Sequence, residues 1–361
     1  MSGVTAFVYR DEYLKYQFGP FHPFQPIREK QALDLVKELG VFGEKVKYYK
    51  PRLATEEDLL LVHSKEYVNF VKEMSKKGEG YLEYPDTPAT EGIYEGACSV
   101  VGGSLEGADL IMEGKALHAF NPGGGLHHAK KSSAAGFCVF NDVAIATRYL
   151  QKKYGLKRIA IVDVDGHHGD GTQEIFYKEP ILTISFHQYG FRFYPGTGDV
   201  GEIGEGEGKG YSVNIPLEAG TGDKAYLYAF DEIVPPLIEK YEPEIIINQF
   251  GVDGHYQDPL VDLSLTTKTY EQISSKMHKL AHKVCDGKYL ILGGGGYEPK
   301  NVARCWAVMF VTVSGVKPKD QKKYEKLFDV ELEEENLVFE NVRKTVERVK
   351  KLIFPLHDLS S

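Results

Sequence analysis

Short apolar runs that end in Gly or Asp clusters alternate along this chain with longer stretches of helical spacing. That alternation is the strongest constraint on its fold. Residues 116–120, 158–162, 181–186, 244–250 and 288–292 each have the length of a buried parallel strand and are rich in Ile, Val and Leu. Residues 211–217 read as a further strand, entered through a Gly- and Glu-rich surface loop at 201–210. Between them, residues 141–154, 224–241 and 268–284 carry apolar side chains at helical spacing. Such alternation predicts an α/β fold: a single three-layer domain, with a mainly parallel sheet flanked by helices. No repeat or linker divides residues 1–361, so one domain is expected, with a helical extension from about residue 317. Within it, residues 335–354 read as an amphipathic helix with Leu337, Val338, Val342, Val346, Val349 and Ile353 on its apolar stripe. Packing on the body of the domain is expected for that helix.

Binding sites in such folds lie beyond the carboxyl ends of the strands. The unusual motifs gather there. Gly123-Gly124-Gly125-Leu126-His127-His128 follows one strand and Asp163-Val164-Asp165-Gly166-His167-His168-Gly169-Asp170 another. Asp253 follows a third, and Gly293-Gly294-Gly295-Gly296-Tyr297 a fourth. Side chains at i, i+2 and i+4 of an extended backbone share a face, so Asp163, Asp165 and His167 can converge. Asp165 and His167, completed by Asp253, form a candidate ligand set for a divalent cation. Two carboxylates offset its charge, and positions remain open for water and a substrate carbonyl. Such an ion lowers the pKa of its water and polarises the carbonyl. A salt-bridged loop without metal is the alternative, and Asp253-Gly254-His255-Tyr256-Gln257-Asp258-Pro259 after another strand weighs against it.

Water attacking an amide needs a base, and the leaving amine then needs a proton. The adjacent imidazoles of His127 and His128 suit both tasks, and a carboxylate behind each ring would fix its tautomer. Asp163 and Asp170 are assigned there. Tyr297 offers a phenol to an oxyanion. The glycines before it are expected to leave room for substrate and to let the backbone turn sharply. They lack G-x-G-x-x-G spacing, which argues against a phosphate cradle. Phe137 after Gly136, and the Phe193-Tyr194 pair, are candidate walls of a narrow channel for a long aliphatic side chain.

Composition narrows the partners. A hydrophobic content of 42% with 26% charged residues is that of a soluble globular protein. The formal charge of -9 opposes bulk attraction to nucleic acid or anionic lipid. Cys98, Cys138, Cys285 and Cys305 form no Cys-x-x-Cys pair, so reduced, buried thiols are expected rather than disulfides or structural zinc. The leading residues show no basic segment followed by an apolar core, and no apolar run reaches ~20 residues. The expectation is a cytoplasmic protein with neither nucleic-acid nor membrane partners.

These motifs resemble those of the histone deacetylase family, in the class I-like branch that includes prokaryotic acetoin-utilisation deacetylases. Pro88-Ala89-Thr90-Glu91-Gly92, His127-His128-Ala129-Lys130-Lys131, Gly136-Phe137-Cys138, residues 163–171, 193–199 and 293–297, and Asn301-Val302-Ala303-Arg304-Cys305-Trp306 carry the resemblance. It extends to about Val316. It implies an arginase-like fold and hydrolysis of the acetyl amide of lysine side chains with Zn2+, or Fe2+ in some members. Asp165, His167 and Asp253 would bind the metal, and His128 would be general base and acid, oriented by Asp170. His127, with Asp163 behind it, would supply electrostatics, and Tyr297 would hold the oxyanion. Structural K+ is implied at Asp163, Asp165, His167, Ser185 and Phe186, with a second K+ around Phe176 and Tyr211. Asp86 falls where the family grips the substrate backbone, and Arg28 where it lines an internal acetate cavity. Glu298 stands where many members have His, and Gln257 where class I members often have Gly, which bears on specificity at the rim.

Acetylpolyamine amidohydrolase is the runner-up, with the same chemistry on a small acetylated amine. That branch carries a carboxylate at the gate, where this chain has Leu260, which favours acetyl-lysine. A two-manganese ureohydrolase would lack the oxyanion tyrosine, and an inactive acyl-lysine reader would have lost Tyr297 or a ligand. The substrate implied is an acetylated protein or peptide, an acyl-CoA synthetase being one such target.

Overall fold

The apolar runs become strands because their side chains are wanted on both faces of one sheet. The structure, a computed structural model, describes residues 3–360. In chain order the strands are β1 (Thr5–Val8), β2 (Val46–Tyr49), β3 (Tyr81–Glu83), β4 (Thr87–Pro88), β5 (His118–Asn121), β6 (Ile159–Asp163), β7 (Leu182–Gln188), β8 (Ser212–Leu217), β9 (Ile245–Gln249) and β10 (Tyr289–Leu292). The helices are α1 (Ile27–Glu38), α2 (Glu56–Leu59), α3 (Lys65–Lys77), α4 (Ile93–Met112), α5 (Asp142–Tyr154), α6 (Asp170–Phe176), α7 (Asp223–Tyr241), α8 (Thr267–Val284), α9 (Pro299–Ser314), α10 (Gln321–Glu325) and α11 (Asn336–Ile353). Eight strands form one parallel sheet in the order β2-β1-β5-β10-β9-β6-β7-β8, while β3 and β4 pair separately as a hairpin.

Alternation along β5 shows how both faces are covered. Phe120 meets Trp306 and Phe310 of α9, with ring centroids 5.8 and 6.2 Å away. Its neighbour Ala119 points the other way, toward Gly107 of α4. Helices on both sides bury every residue of β5, β6, β9 and β10, so each carries adjacent apolar residues rather than an alternation, with any polar side chains confined to the strand ends. Parallel pairing aligns their carboxyl ends. His127, Asp165, Asp253 and Tyr297 all lie just beyond those ends.

The expected α/β architecture is present, and the four sequence-derived helices lie within one residue of α5, α7, α8 and α11. The segment 201–210 is a loop containing a 3-10 turn at Gly206–Gly208. All four cysteines are buried and free. No helix among the described residues is long and apolar enough to cross a membrane. Helix α11 packs on α7 and β8 through Val342, Val346, Val349 and Ile353. Its apolar stripe differs from expectation at the start: Leu337 is exposed, and Phe339 instead reaches Tyr228 of α7, ring centroids 5.3 Å apart. Helix geometry explains this, because Phe339 stands three residues before Val342 on the buried face, whereas Leu337 stands five before it and turns away.

Two features control stability. A Cβ on Gly102 of α4 would sit 2.1 Å from the Arg52 carbonyl oxygen, a backbone atom with little freedom to retreat. Gly102→Ala is expected to cost ~1–3 kcal/mol in urea unfolding, the scale of an overpacked core. On α1, Arg28 and Glu29 are both buried. Burial pushes the Glu29 carboxyl up to about 8 from 4.5, although Arg28 works against it. The folded chain thus keeps a proton that the unfolded chain releases, so stability falls as pH rises from about 4.5 to about 8. Glu29→Gln is expected to flatten that decline in melting temperature across the window; an unchanged slope would contradict the assignment.

Candidate active site

Loops beyond the carboxyl ends of β5, β6, β7, β9 and β10 deliver the site. Turn 123–128 after β5 is anchored by Asp142, whose carboxylate accepts from Gly125 N–H at 3.0 Å and Leu126 N–H at 2.8 Å. Asn141 caps α5 and donates from Nδ2 to the His127 and Ala129 carbonyls. These two residues hold the tandem histidines. His127 Nδ1 lies 2.7 Å from Asp163 Oδ2, and His128 Nδ1 lies 2.6 Å from Asp170 Oδ1. The carboxylate behind each ring is therefore where the sequence placed it. The two Nε2 atoms face each other at 3.0 Å, so one must donate and the other accept. Burial disfavours charge on His127, but Asp163 and Asp165 outweigh it and raise its pKa to about 9. Burial and the neighbouring His127 charge lower His128 to about 4. His127 is then the donor, and His128, neutral, keeps its proton on the nitrogen facing Asp170.

Asp165, His167 and Asp253 come together as the sequence suggested, with one ligand atom from each within 4.8 Å of the others. Their solvent exposure is 1, 7 and 0%. His167 Nδ1 stands 2.7 Å from Asp253 Oδ2 and 3.4 Å from Asp165 Oδ1. Backbone and amide donors take the other carboxylate oxygens. Gly295 N–H and Gln249 Nε2 donate to Asp165 Oδ2 at 2.6 and 2.7 Å, and Gly166 N–H donates to Asp253 Oδ1 at 2.6 Å. Burial and the Asp165 charge raise the Asp253 pKa. Burial opposes charge on His167, yet the two carboxylates raise its pKa well above the ordinary imidazole value. Two desolvated carboxylates and one imidazole thus surround a point that favours positive charge, and this donor set fits a small divalent cation.

The glycine run turns the backbone sharply, as expected, with φ of 122° at Gly294 and 140° at Gly296, and it has a further task. A Cβ on Gly295 would lie 2.3 Å from Asp253 Oδ2, and one on Gly251 would lie 2.0 Å from Asp165 Oδ2. The missing side chains at these two positions make room for the carboxylates of this cluster. Tyr297 follows, with its backbone N–H donating to Asp258 Oδ2 at 2.8 Å. Burial raises the Tyr297 phenol far above its ordinary value and keeps it protonated. The Asp258 carboxyl, pushed up to about 8 by burial and by Asp253, was named within its motif in the sequence but given no role there. Gln249 was also missed, although the available signal was two adjacent buried amides, Asn248 and Gln249, ending a strand that is otherwise isoleucine.

A cleft of about 290 Å³ leads from the surface to His128, His167 and Tyr297. Gly136, Phe137, Tyr194 and Leu260 line it, with Asp86 at its rim, joined by Phe193 and the unanticipated Arg192. The Phe193 ring is stacked on His167 at 5.2 Å, the Tyr194 ring stands edge-on to His128 at 5.0 Å, and Phe137 meets Tyr297 at 5.8 Å. Arg28 lies behind the site and donates from Nη1 to the Gly296 carbonyl at 2.7 Å. Ser185 pairs with Asp163 across β6 and β7, with Phe186 next to it. Phe176, at the end of α6, lies under the Arg148 guanidinium, and Tyr211 precedes β8, its carbonyl accepting from Thr183 N–H at 2.8 Å.

Comparison with known proteins identifies the family. Residues 22–313 match the histone deacetylase domain family. The acetoin utilization protein AcuC of Bacillus subtilis (strain 168) is 43% identical over 323 residues, 87% of this chain and 83% of that protein. A probable deacetylase of Archaeoglobus fulgidus is 41% identical over 300 residues, covering 82% of each. The crystal structure of the HDA15 HD domain superposes with a TM-score of 0.84 at 30% identity, over 98% of this chain and 97% of that one. By sequence and by fold, this chain belongs to the histone deacetylase family.

Proposed function

We propose that this protein is a metal-dependent deacetylase that hydrolyses the acetyl amide of N6-acetyl-lysine in proteins and releases acetate. One observation carries the reading: an apolar, aromatic-walled cleft ends on a buried cation-binding set flanked by a paired imidazole and a protonated phenol. A long methylene chain suits such walls, and its amide would reach the polar floor. Asp165, His167 and Asp253 would hold Zn2+ or Fe2+, which when bound polarises the acetyl carbonyl and activates water. His128, kept neutral and oriented by Asp170, takes a proton from the attacking water and passes one to the departing amine. His127 holds positive charge beside the developing negative charge. The Tyr297 hydroxyl donates to the oxyanion from across the cleft. K+ held by Asp163, Asp165, His167, Ser185 and Phe186 would stiffen the loop carrying the ligands.

Acetylpolyamine remains the competing substrate, and the rim bears on it. Leu260 supplies no charge there, which favours a substrate whose cationic end has been lost to the peptide. Glu83 and Asp86 stand together nearby, where burial and Asp86 push the Glu83 carboxyl up to about 7.

Tyr297→Phe and His128→Ala are each expected to retain metal and to lower turnover on an acetyl-lysine peptide by at least ~10², the scale of one oxyanion donor or one general base. Near-wild-type turnover in either variant would contradict the assigned role. Leu260→Glu is expected to shift the ratio of kcat/KM toward acetylpolyamine by about tenfold, the effect of one favourable charge contact of ~1.4 kcal/mol. If the wild type already prefers the acetylpolyamine, the protein-substrate reading fails.

A further inference from the structure

Three histidines close on one another at the end of the sheet opposite the cleft. His118 opens β5, while His278 and His282 stand one turn apart on α8 and so share a helix face. One ring nitrogen from each lies within 4.8 Å of the other two. The ring centroids are 4.6 to 5.2 Å apart. His118 is buried, His278 half-buried and His282 exposed. Gly287 leaves the space into which His282 packs, since a Cβ there would lie 2.8 Å from its Cε1.

Nothing in the catalytic chemistry uses these rings, and their arrangement is costly without a partner. Nδ1 of His118 and Nδ1 of His278 are buried and make no hydrogen bond. Buried polar atoms are nearly always satisfied, so two such nitrogens in one cluster point to a partner that the chain itself does not supply. Burial, with the neighbouring imidazoles, lowers His118 to about 3, and burial with His282 and Lys279 lowers His278. A neutral imidazole keeps one nitrogen with a free electron pair, which is the donor a cation needs.

We propose that His118, His278 and His282 form a second metal site, remote from the catalytic cleft, for a first-row divalent ion of the zinc, cobalt, nickel or copper class. An all-imidazole donor set suits those ions and excludes magnesium and calcium, which require oxygen. Nitrogens ~2.0–2.1 Å from one ion stand about 3.3 Å apart, and the exposed His282 ring has freedom to swing in and complete the set. A bound ion would tie α8 to the start of β5 and leave a fourth position facing solvent. Its role is that of a structural clasp rather than a participant in hydrolysis.

Cobalt(II) titration of metal-stripped full-length protein tests this, with bound cobalt counted after dialysis. The wild type is expected to retain one more equivalent than the His278→Ala/His282→Ala variant, which alters no cleft residue and should keep wild-type turnover. Asp253→Asn is expected to lose the other equivalent and keep this one. Equal cobalt content in the wild type and the double-histidine variant would overturn the proposal while leaving the catalytic reading intact. Cobalt loss in the histidine variant but not in Asp253→Asn would uphold this site and remove the catalytic one. His282→Ala alone, a surface change, provides the same readout should the double variant fold poorly.

Discussion

Buried negative charge is the constraint around which this molecule is arranged. Asp163, Asp165 and Asp253 are at most 3% exposed and stand at the ends of adjacent strands. Desolvating a carboxylate costs several kcal/mol, and crowding it against another costs more. The chain answers with donors fixed in the backbone: Gly166 and Gly295 N–H, the Gln249 amide and the His127 and His167 rings. Those donors are within reach because β10 lies beside β9 and β9 beside β6, so the parallel sheet is what brings the compensating groups together. Asp165, His167 and Asp253 still bring one ligand atom each within 4.8 Å of the others, a donor set that fits a small divalent cation.

Two histidines adjacent in sequence come to differ through their surroundings. His127 lies closer to the carboxylate cluster and holds a proton, whereas His128 lies at the cleft, next to that charge, and does not. Asp163 and Asp170 make this division possible by fixing one nitrogen of each ring. In the proposed reaction one ring stabilises negative charge while the other exchanges protons, and the His-His dipeptide alone distinguishes neither role.

How much could be read from the sequence follows from the same physics. Strands β5, β6, β9 and β10 were legible because burial on both faces gives each adjacent apolar residues with any polar ones confined to the ends, and β7 was legible through Leu182, Ile184 and Phe186. The edge strand β2 was not, since its residues Lys47 and Tyr48 face solvent and interrupt the pattern. Helix α4 hides for the opposite reason: it is buried nearly all round, and its glycines follow the demands of close approach rather than helix propensity. Within the site, residues with unusual chemistry at strand ends were found, including the Asp behind each His. Asp142, Gln249 and Asp258 were given no role because they act through backbone N–H groups or through another side chain, and no local spacing marks a contact across more than a hundred residues, as between Gln249 and Gly125. The purpose of Gly295 likewise became visible only once Asp253 was seen to occupy the space its side chain would fill.

The central claim is that Asp165, His167 and Asp253 jointly bind one cation facing the histidine pair. Anomalous diffraction from crystals grown with zinc, recorded on both sides of the zinc edge, tests it most directly. The account predicts a peak about 2.0–2.2 Å from a carboxylate oxygen of Asp165, a ring nitrogen of His167 and a carboxylate oxygen of Asp253. Crystals with full zinc occupancy elsewhere and no peak among these three side chains would contradict it.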